Sequence, residues 1–130
     1  MMIKVTNDIF STVADRDYLS FFDKDVPKYN RVIEFLDFKK EDISAATEVP
    51  LSSVRYDKKI PKELHDRIKE WANLLNLVAE YFKGDAAKTA IWFTAPNPLL
   101  GNVSPRDMIR LGRYKKLYQF IFNALAENKR

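Results

Sequence analysis

Cysteine is absent from this 130-residue chain, which also holds only three glycines and one histidine. Without cysteine there is no disulfide framework, no zinc–thiolate site and no cysteine nucleophile. No apolar run approaches the roughly 20 residues that a bilayer-spanning helix needs. The first ten residues lack the basic start and apolar block of a signal peptide. We therefore expect a cytoplasmic protein without a membrane partner.

Residue patterns that could form a catalytic, metal-binding or phosphate-binding site are equally scarce. His65 is the single histidine, and no nucleophile is spaced to pair with it. No His/Asp/Glu spacing supplies the three or four ligands of a metal site, and no glycine-rich phosphate-binding loop occurs. We expect no catalytic activity, no cofactor and no metal, and we interpret His65 as a surface side chain.

Apolar and aromatic residues are plentiful. Hydrophobic residues make up 46% of the chain and charged residues 31%, which is a normal globular balance. The length fits a single domain, or one domain with a short arm. Residues 1–29 carry mixed signals and are predicted to form an N-terminal arm that is ordered by packing of Phe10, Phe21 and Phe22.

The pattern from residue 30 onward predicts an all-α fold of six or seven helices. Three short helices are expected over 31–38, 39–49 and 50–57, the last with Leu51 and Val54 turned inward. Residues 61–83 carry the clearest helical stripe, which Leu74, Leu77 and Tyr81 broaden. The stripe itself consists of Leu64, Ile68, Trp71, Leu75, Val78 and Phe82. Such a stripe indicates a core helix or, alternatively, a dimer seam.

Turn residues divide the second half of the chain. Gly84 is expected to end the long helix, Asp85 to cap the next one and Pro96 to stop it. The stretch "WFTAPNPLLGNVSPRDMI" (92–109) then combines a proline-fixed loop with a short helix. Ser104 is the predicted N-cap of that helix and Gly112 its end. A last helix is predicted over about 113–127.

The short helices before residue 60 outline a helix-turn-helix. In that arrangement the polar face of the second helix contacts DNA. The candidate DNA-binding residues are Ser52, Ser53, Arg55, Tyr56, Lys58 and Lys59. The net charge of +4 permits nucleic-acid binding without requiring it. Against it, Glu48 occupies the usual glycine position of the turn, where a left-handed backbone costs about 1 kcal/mol. The alternative is a packed α-domain with a solvated charged face.

The loop at 96–102 also allows two interpretations. Leu99 and Leu100 could fold back and seal a small core above Trp92 and Phe93. Alternatively, a loop held rigid by prolines could present these side chains to a partner, since rigidity lowers the ordering cost of binding. Arg106 and Arg110 stand four residues apart on the following helix, so they are expected to share one face.

The residues of this second half resemble a known family. A tryptophan-bearing helix, a proline-asparagine-proline loop, a leucine-glycine pair, a serine-proline helix start and a helix-ending glycine occur in the order of the MbcA/ParS/Xre antitoxin family. The matching positions are Trp92, Pro96, Asn97, Pro98, Leu100, Gly101, Ser104, Pro105 and Gly112. The region "FLDFKKEDISAATEVPLSSVRYDKKIPKELHDRI" is similar to the family's Xre-like helix-turn-helix half. The resemblance covers about residues 31–126.

This resemblance implies a helix-turn-helix-like N-terminal bundle over 30–84, followed by a small helical toxin-binding domain over 85–130. Antitoxins of the family pair with a RES-domain toxin, which consumes NAD or ADP-ribosylates a target, and block its active site. They often form homodimers, and many repress their own operon by binding operator DNA. The toxin-facing residues that the resemblance implies are Trp92, Asn97, Pro98, Leu99, Leu100, Gly101, Arg106, Arg110, Arg113 and Tyr114.

Two other hypotheses stay open at this point. Residues 39–62 favour a stand-alone DNA-binding transcriptional regulator if folding sorts their mixed charges onto separate faces. A small oligomeric scaffold is the third possibility. The departure at Glu48 counts against repression of an operon and has no bearing on toxin neutralisation.

Overall fold

The computed structural model describes residues 17–128. These residues form a two-stranded antiparallel ribbon, six α-helices and two short 3₁₀ turns. The elements are β1 (Phe22–Asp23), β2 (Val26–Pro27), α1 (Tyr29–Leu36), α2 (Lys40–Thr47), a first 3₁₀ turn (Leu51–Ser53), α3 (Lys62–Tyr81), α4 (Ala86–Thr94), a second 3₁₀ turn (Pro98–Leu100), α5 (Pro105–Arg110) and α6 (Tyr114–Asn128). The predicted all-α fold is confirmed, with the small ribbon as an addition.

The segment before α1 belongs to the core. The Asp17 carboxylate accepts the backbone N–H groups of Phe21 and Phe22 at 2.8 and 3.0 Å, which bends the chain toward the ribbon. Leu19, Phe21 and Phe22 are buried. The expected packing of Phe21 and Phe22 is therefore present, whereas Phe10 lies outside the described residues.

Helices α1 and α2 form where the sequence predicts them. Asp37 ends α1 in a left-handed conformation, and the Asp42 carboxylate accepts the Lys39 N–H at the start of α2. Glu48 follows α2 with φ of 64°, so the strained turn expected at this non-glycine position is present. Ile43 inside α2 is fully buried.

The prediction of a third helix over residues 50–57 is wrong. Only a single 3₁₀ turn forms, and Val54 after it has extended backbone. At the end of this segment, the Asp57 carboxylate accepts the Lys59 N–H at 3.0 Å and pairs with Arg55, which favours a local turn there. Val54 is buried as predicted, but Leu51 is 48% exposed instead of turned inward.

Helix α3 is the centre of the fold. Its predicted apolar stripe is buried apart from Phe82, which is partly buried just beyond the helix. Tyr81, expected to broaden the stripe, points outward instead. The Gly84 N–H donates to the Ala79 carbonyl and its φ is +84°, which is the left-handed helix end that the sequence predicts.

The predicted caps of the second half are present. The Asp85 side chain accepts the Lys88 N–H of α4, and the Ser104 side chain accepts the Asp107 N–H of α5. Gly112 has a positive φ at the end of α5. One hydrophobic core joins the regions 30–84 and 85–130, because Phe93, Ile109 and Leu117 belong to the same cluster as the α3 stripe. Within residues 17–128, no helix is long and apolar enough to cross a membrane.

Candidate functional site

The loop between α4 and α5 is organised around Asn97. Its side-chain Oδ1 accepts the Leu99 N–H at 2.9 Å, and its carbonyl accepts the N–H groups of Leu100 and Asn102, both at 2.9 Å. Its own N–H donates to the Val103 carbonyl at 3.2 Å, which closes the loop as an isolated β-bridge. Asn97 thus holds both ends of the loop.

The backbone of this loop is fixed further by its residue types. Pro96 and Pro98 each restrict one φ angle. Gly101 and Asn102 both adopt the left-handed conformation, with φ of 70° and 65°. These are the two residue types that tolerate this conformation best. A tight loop therefore forms without large strain.

Leu99 projects from this loop into solvent. Its side chain is 78% exposed, which is the highest value among the exposed large hydrophobic side chains of residues 17–128. Leu100 is partly buried against the core instead. Leu100 therefore folds back against the core, as one of the two interpretations of the loop predicts, whereas Leu99 does not fold back.

Two adjoining hollows, which we call the Trp92 groove, lie beside Leu99. Trp92, Phe82 and Asn97 line both of them, and their volumes are about 340 and 380 Å³. Leu99 borders the first hollow, while Ile91 and Pro98 border the second. Ile91 is 65% exposed. Lys88 is the one charged side chain among the described lining residues.

Arg106 and Arg110 come together as their spacing predicts, because both bind Asp107 Oδ1, at 3.3 and 3.0 Å. This carboxylate offsets part of their charge. The Arg106 guanidinium turns inward, where it donates to the carbonyls of Leu36 and Asp37 at the end of α1. It also lies 5.1 Å from the ring centroid of Phe38. This placement satisfies carbonyls that a helix end leaves without partners.

Arg110 and Arg113 lie nearer to solvent. Arg110 is half-exposed and its Nε donates to Asp107 Oδ1 at 3.0 Å, while Arg113 is exposed. Tyr114 packs inward: its hydroxyl donates to the Glu70 carbonyl at 3.4 Å, and burial strongly raises the pKa of this phenol. Of the predicted toxin-facing side chains, Arg106 and Tyr114 are thus engaged within the fold.

The predicted DNA-facing residues are spread over a turn and a bend. Ser52 is exposed on the first 3₁₀ turn, Ser53 is partly buried there, and Lys58 and Lys59 are exposed beyond it. Tyr56 packs against the core, and burial raises its pKa.

Arg55, one of the predicted DNA-binding residues, is engaged by an acidic neighbour. Its guanidinium binds Asp57 through two hydrogen bonds of 2.8 and 2.5 Å. This pairing lowers the pKa of the Asp57 carboxyl and raises that of Arg55. The acidic neighbour therefore neutralises the charge that would contact DNA.

His65, the single histidine, is half-buried rather than on the open surface. Its Nδ1 lies 2.7 Å from the Tyr29 hydroxyl, with which it shares a hydrogen bond between α3 and α1. Burial raises the pKa of Tyr29. This hydrogen bond therefore gives the histidine a structural role, because it joins two helices of the core.

Comparison with known proteins adds no relative. No family model matches the chain, and neither the curated proteins nor the solved structures give a significant match. The fold and the site define a small, mostly α-helical protein that holds a rigid loop with an exposed leucine beside an apolar groove.

Proposed function

We propose that this chain is the antitoxin of a type II toxin–antitoxin system and that it neutralises a RES-domain, NAD-consuming toxin by covering the toxin's active-site cleft. The observation that carries the proposal is Leu99, which a fixed loop exposes to water at the rim of the Trp92 groove. The motif resemblance over residues 92–112 supplies the identity of the partner. In this proposal the protein acts in the cytoplasm as a homodimer.

The physical argument for a binding role rests on the cost of exposure. Exposing Leu99 and Ile91 on the rims of two adjoining hollows gives up the favourable burial of their apolar surface. That burial is worth about 1.5–3 kcal/mol for each fully buried side chain. Adjoining exposed apolar side chains rimmed by polar ones mark interaction sites on soluble proteins. Leu99, Ile91 and the groove between them meet that description.

Rigidity makes this surface suited to tight binding. The Asn97 hydrogen bonds and the two prolines fix the loop before any partner arrives, so little conformational entropy is lost on binding. Lys88 beside the groove and Arg113 after α5 add positive charge, which favours a toxin cleft with an acidic rim. In this proposal Leu99 enters the cleft, and Arg106 and Tyr114 keep their internal roles.

Co-expression with the toxin encoded beside this chain tests the proposal. We expect the wild-type chain to restore growth and the Leu99→Asp variant to fail, because a charge cannot enter an apolar pocket without a large desolvation cost. Leu51→Asp is the matched control, since Leu51 is an exposed leucine on the other 3₁₀ turn. Equal rescue by both variants would contradict the assignment of the loop.

The stand-alone regulator is the weaker candidate. It would need Arg55 to leave Asp57, and the segment expected to form the recognition helix is a single 3₁₀ turn. A mobility-shift assay at low salt with the chain's own promoter DNA tests the regulator, because absence of specific binding would exclude it. Specific binding that Arg55→Ala weakens is compatible with both functions, so the growth rescue described above decides between them.

A further inference from the structure

The Trp92 groove has exposed apolar side chains at both of its hollows. Tyr81 and Leu99 line the first hollow and Ile91 lines the second, and all three side chains are more than half exposed. With volumes of about 340 and 380 Å³, the hollows lie at the lower end of the range for ligand pockets, about 300–1,000 Å³. Trp92 and Phe82 line both hollows, so two groups that fill them must be close neighbours. These dimensions suit a few side chains of a partner protein.

The polar side chains of the second hollow are hydrogen-bond donors. Among the residues that the structure describes, only Lys88 and Asn97 bring polar side chains to its lining. The Lys88 ammonium group can only donate. Asn97 uses Oδ1 to accept the Leu99 N–H, so Nδ2, with two N–H donors, is left for a ligand. This hollow therefore favours an apolar group that lies beside a hydrogen-bond acceptor.

The Lys88 ammonium group is available for such a ligand. Lys88 is exposed and forms no ion pair within the described part of the chain. The nearby Asp85 carboxylate accepts the backbone N–H of Lys88 at 3.0 Å and thereby caps α4. Hydrogen bonds between a lysine and a carboxylate are among the strong ones, because both groups are charged. A carboxylate is therefore the acceptor that suits this hollow best.

The charges around the first hollow are balanced. On α6, the exposed Lys116 lies one turn before Phe120, which lines this hollow. The exposed Glu127 lies one turn after Ala124, another lining residue. Opposite charges thus flank the first hollow, whereas the second has Lys88 as its charged lining residue. The groove is complementary to a segment that is apolar along its length and acidic at the second hollow.

We propose that the Trp92 groove receives a segment of the toxin, with an apolar side chain in each hollow and a carboxylate bound by Lys88 and Asn97. This inference rests on the proposed function, because a toxin that takes up Leu99 also covers the first hollow, which Leu99 lines. Leu99 enters the toxin while the toxin segment enters the groove, so the two proteins interlock. The apolar side chains supply affinity, and the carboxylate fixes the direction in which the segment lies.

Filling the groove tests this inference in the full chain. Ala95 is exposed and lines the second hollow, so Ala95→Phe places a ring in the space that the toxin segment would occupy. In calorimetric titration with a RES-domain toxin, this variant should bind at least about tenfold more weakly than the wild-type chain. Ala87→Phe is the matched control, because Ala87 is exposed on α4 and lines neither hollow. Equal affinities of the two variants would overturn the inference.

A charge reversal tests the carboxylate separately. Lys88→Glu should weaken toxin binding by about tenfold at low salt and by less at high salt, because salt screens charges near the surface. Glutamate is favourable in the first turn of a helix, so α4 is retained. Lys40→Glu makes the same change at an exposed lysine in the first turn of α2 and should have little effect. Equal effects of the two reversals, or an effect of Lys88→Glu that salt does not change, would contradict the carboxylate.

A phage-displayed library of random linear peptides separates this inference from the proposed function, because it requires no toxin. The library is depleted on the Ala95→Phe variant and then panned on the wild-type chain. We expect the enriched peptides to combine two apolar residues with Asp or Glu. Their binding should shift the fluorescence of Trp92, since Trp71, the other tryptophan, is fully buried.

The outcomes distinguish the two proposals. Enrichment of peptides without an acidic residue, or no enrichment, would overturn the inference about the groove. Loss of toxin binding in Leu99→Asp but not in Ala95→Phe would overturn it as well and leave the proposed function standing. If the wild-type chain binds no RES-domain toxin but does bind the acidic peptides, the proposed function is wrong and the chemistry inferred for the groove is confirmed.

Discussion

The two 3₁₀ turns of this protein follow similar sequences and behave differently. Each follows or begins with a proline and carries an exposed leucine: Leu51 in the first turn and Leu99 in the second. The first turn is held by backbone bonds alone, from Ser53 to Pro50 and from Val54 to Leu51. The second has a side-chain cap from Asn97, a closing bridge to Val103 and two left-handed residues.

The two turns differ in which groups stabilise them. Around the first turn, the stabilising group is Val54, whose burial ties the turn to the core. Around the second, the stabilising groups lie within the loop, so its outward side chain is positioned without being buried. Leu51 is therefore exposed on a turn that the core holds, whereas Leu99 is exposed on a loop that its own hydrogen bonds hold.

The largest effect on stability is expected from Arg106, whose guanidinium joins α5, the helix after the second turn, to the end of α1. Arg106→Met should lower the free energy of unfolding by about 2–3 kcal/mol, since the carbonyls of Leu36 and Asp37 lose charged donors. Urea denaturation measures this. As a control, Arg113→Met removes an exposed arginine three residues after α5 and should change stability by less than about 0.5 kcal/mol. Equal losses for the two variants would contradict the role of Arg106 in joining α5 to α1.

The side-chain cap of the second turn is expected to contribute next. Asn97→Ala should cost about 1 kcal/mol of stability, because the Leu99 N–H loses its acceptor. Ser52→Ala, on the uncapped first turn, should cost almost nothing. Thermal unfolding of the two variants compares the turns directly, and a larger loss for Ser52→Ala would reverse our description of them.

Different outcomes are expected at the two left-handed positions. Gly101→Ala should destabilise by about 1 kcal/mol, although a Cβ there meets no neighbour, because φ is +70°. At Glu48, where φ is 64°, Glu48→Gly should not destabilise, since relief of strain offsets the added freedom of the unfolded chain. Matched denaturation curves report both changes, and a loss at Glu48 as large as that at Gly101 would show that φ is not the cause.

The smallest effect is expected at the ion pair after the first turn. The pairing with Arg55 lowers the pKa of Asp57, so this carboxylate stabilises the fold above its unfolded pKa of about 3.9. That contribution is lost as pH falls through the lower folded pKa. Asp57→Asn should therefore lower the unfolding temperature slightly at pH 7 and leave it unchanged in strong acid. The same difference at both values would exclude the ion pair as its source.

The sequence was informative wherever a boundary depends on a local chemical preference. Ser104, Asp85 and Gly84 mark helix boundaries through caps and a left-handed end that involve only neighbouring residues, and all three predictions are confirmed. The apolar stripe of α3 was equally predictable, because 20 residues of consistent spacing leave no alternative period.

Prediction failed where distant residues or competing local bonds decide. Eight residues around Leu51 fit a helical spacing, but the backbone becomes extended at Val54, whose side chain is buried in the core. Arg106 looked like a surface arginine because its partners, Leu36 and Asp37, lie about 70 residues away in the chain. The hydrogen bond between Tyr29 and His65 spans 36 residues and carried no sequence signal either.

Calorimetric titration of a RES-domain toxin, the partner that we propose, with the purified chain tests the central claim most directly. Leu99→Ala should weaken binding at least about 30-fold, as loss of a central interface anchor does, with an unchanged unfolding temperature. Leu51→Ala should bind like the wild-type chain. If Leu99→Ala keeps the wild-type Kd, or if both leucine variants weaken binding equally, the loop does not present Leu99 to a partner and the account is wrong.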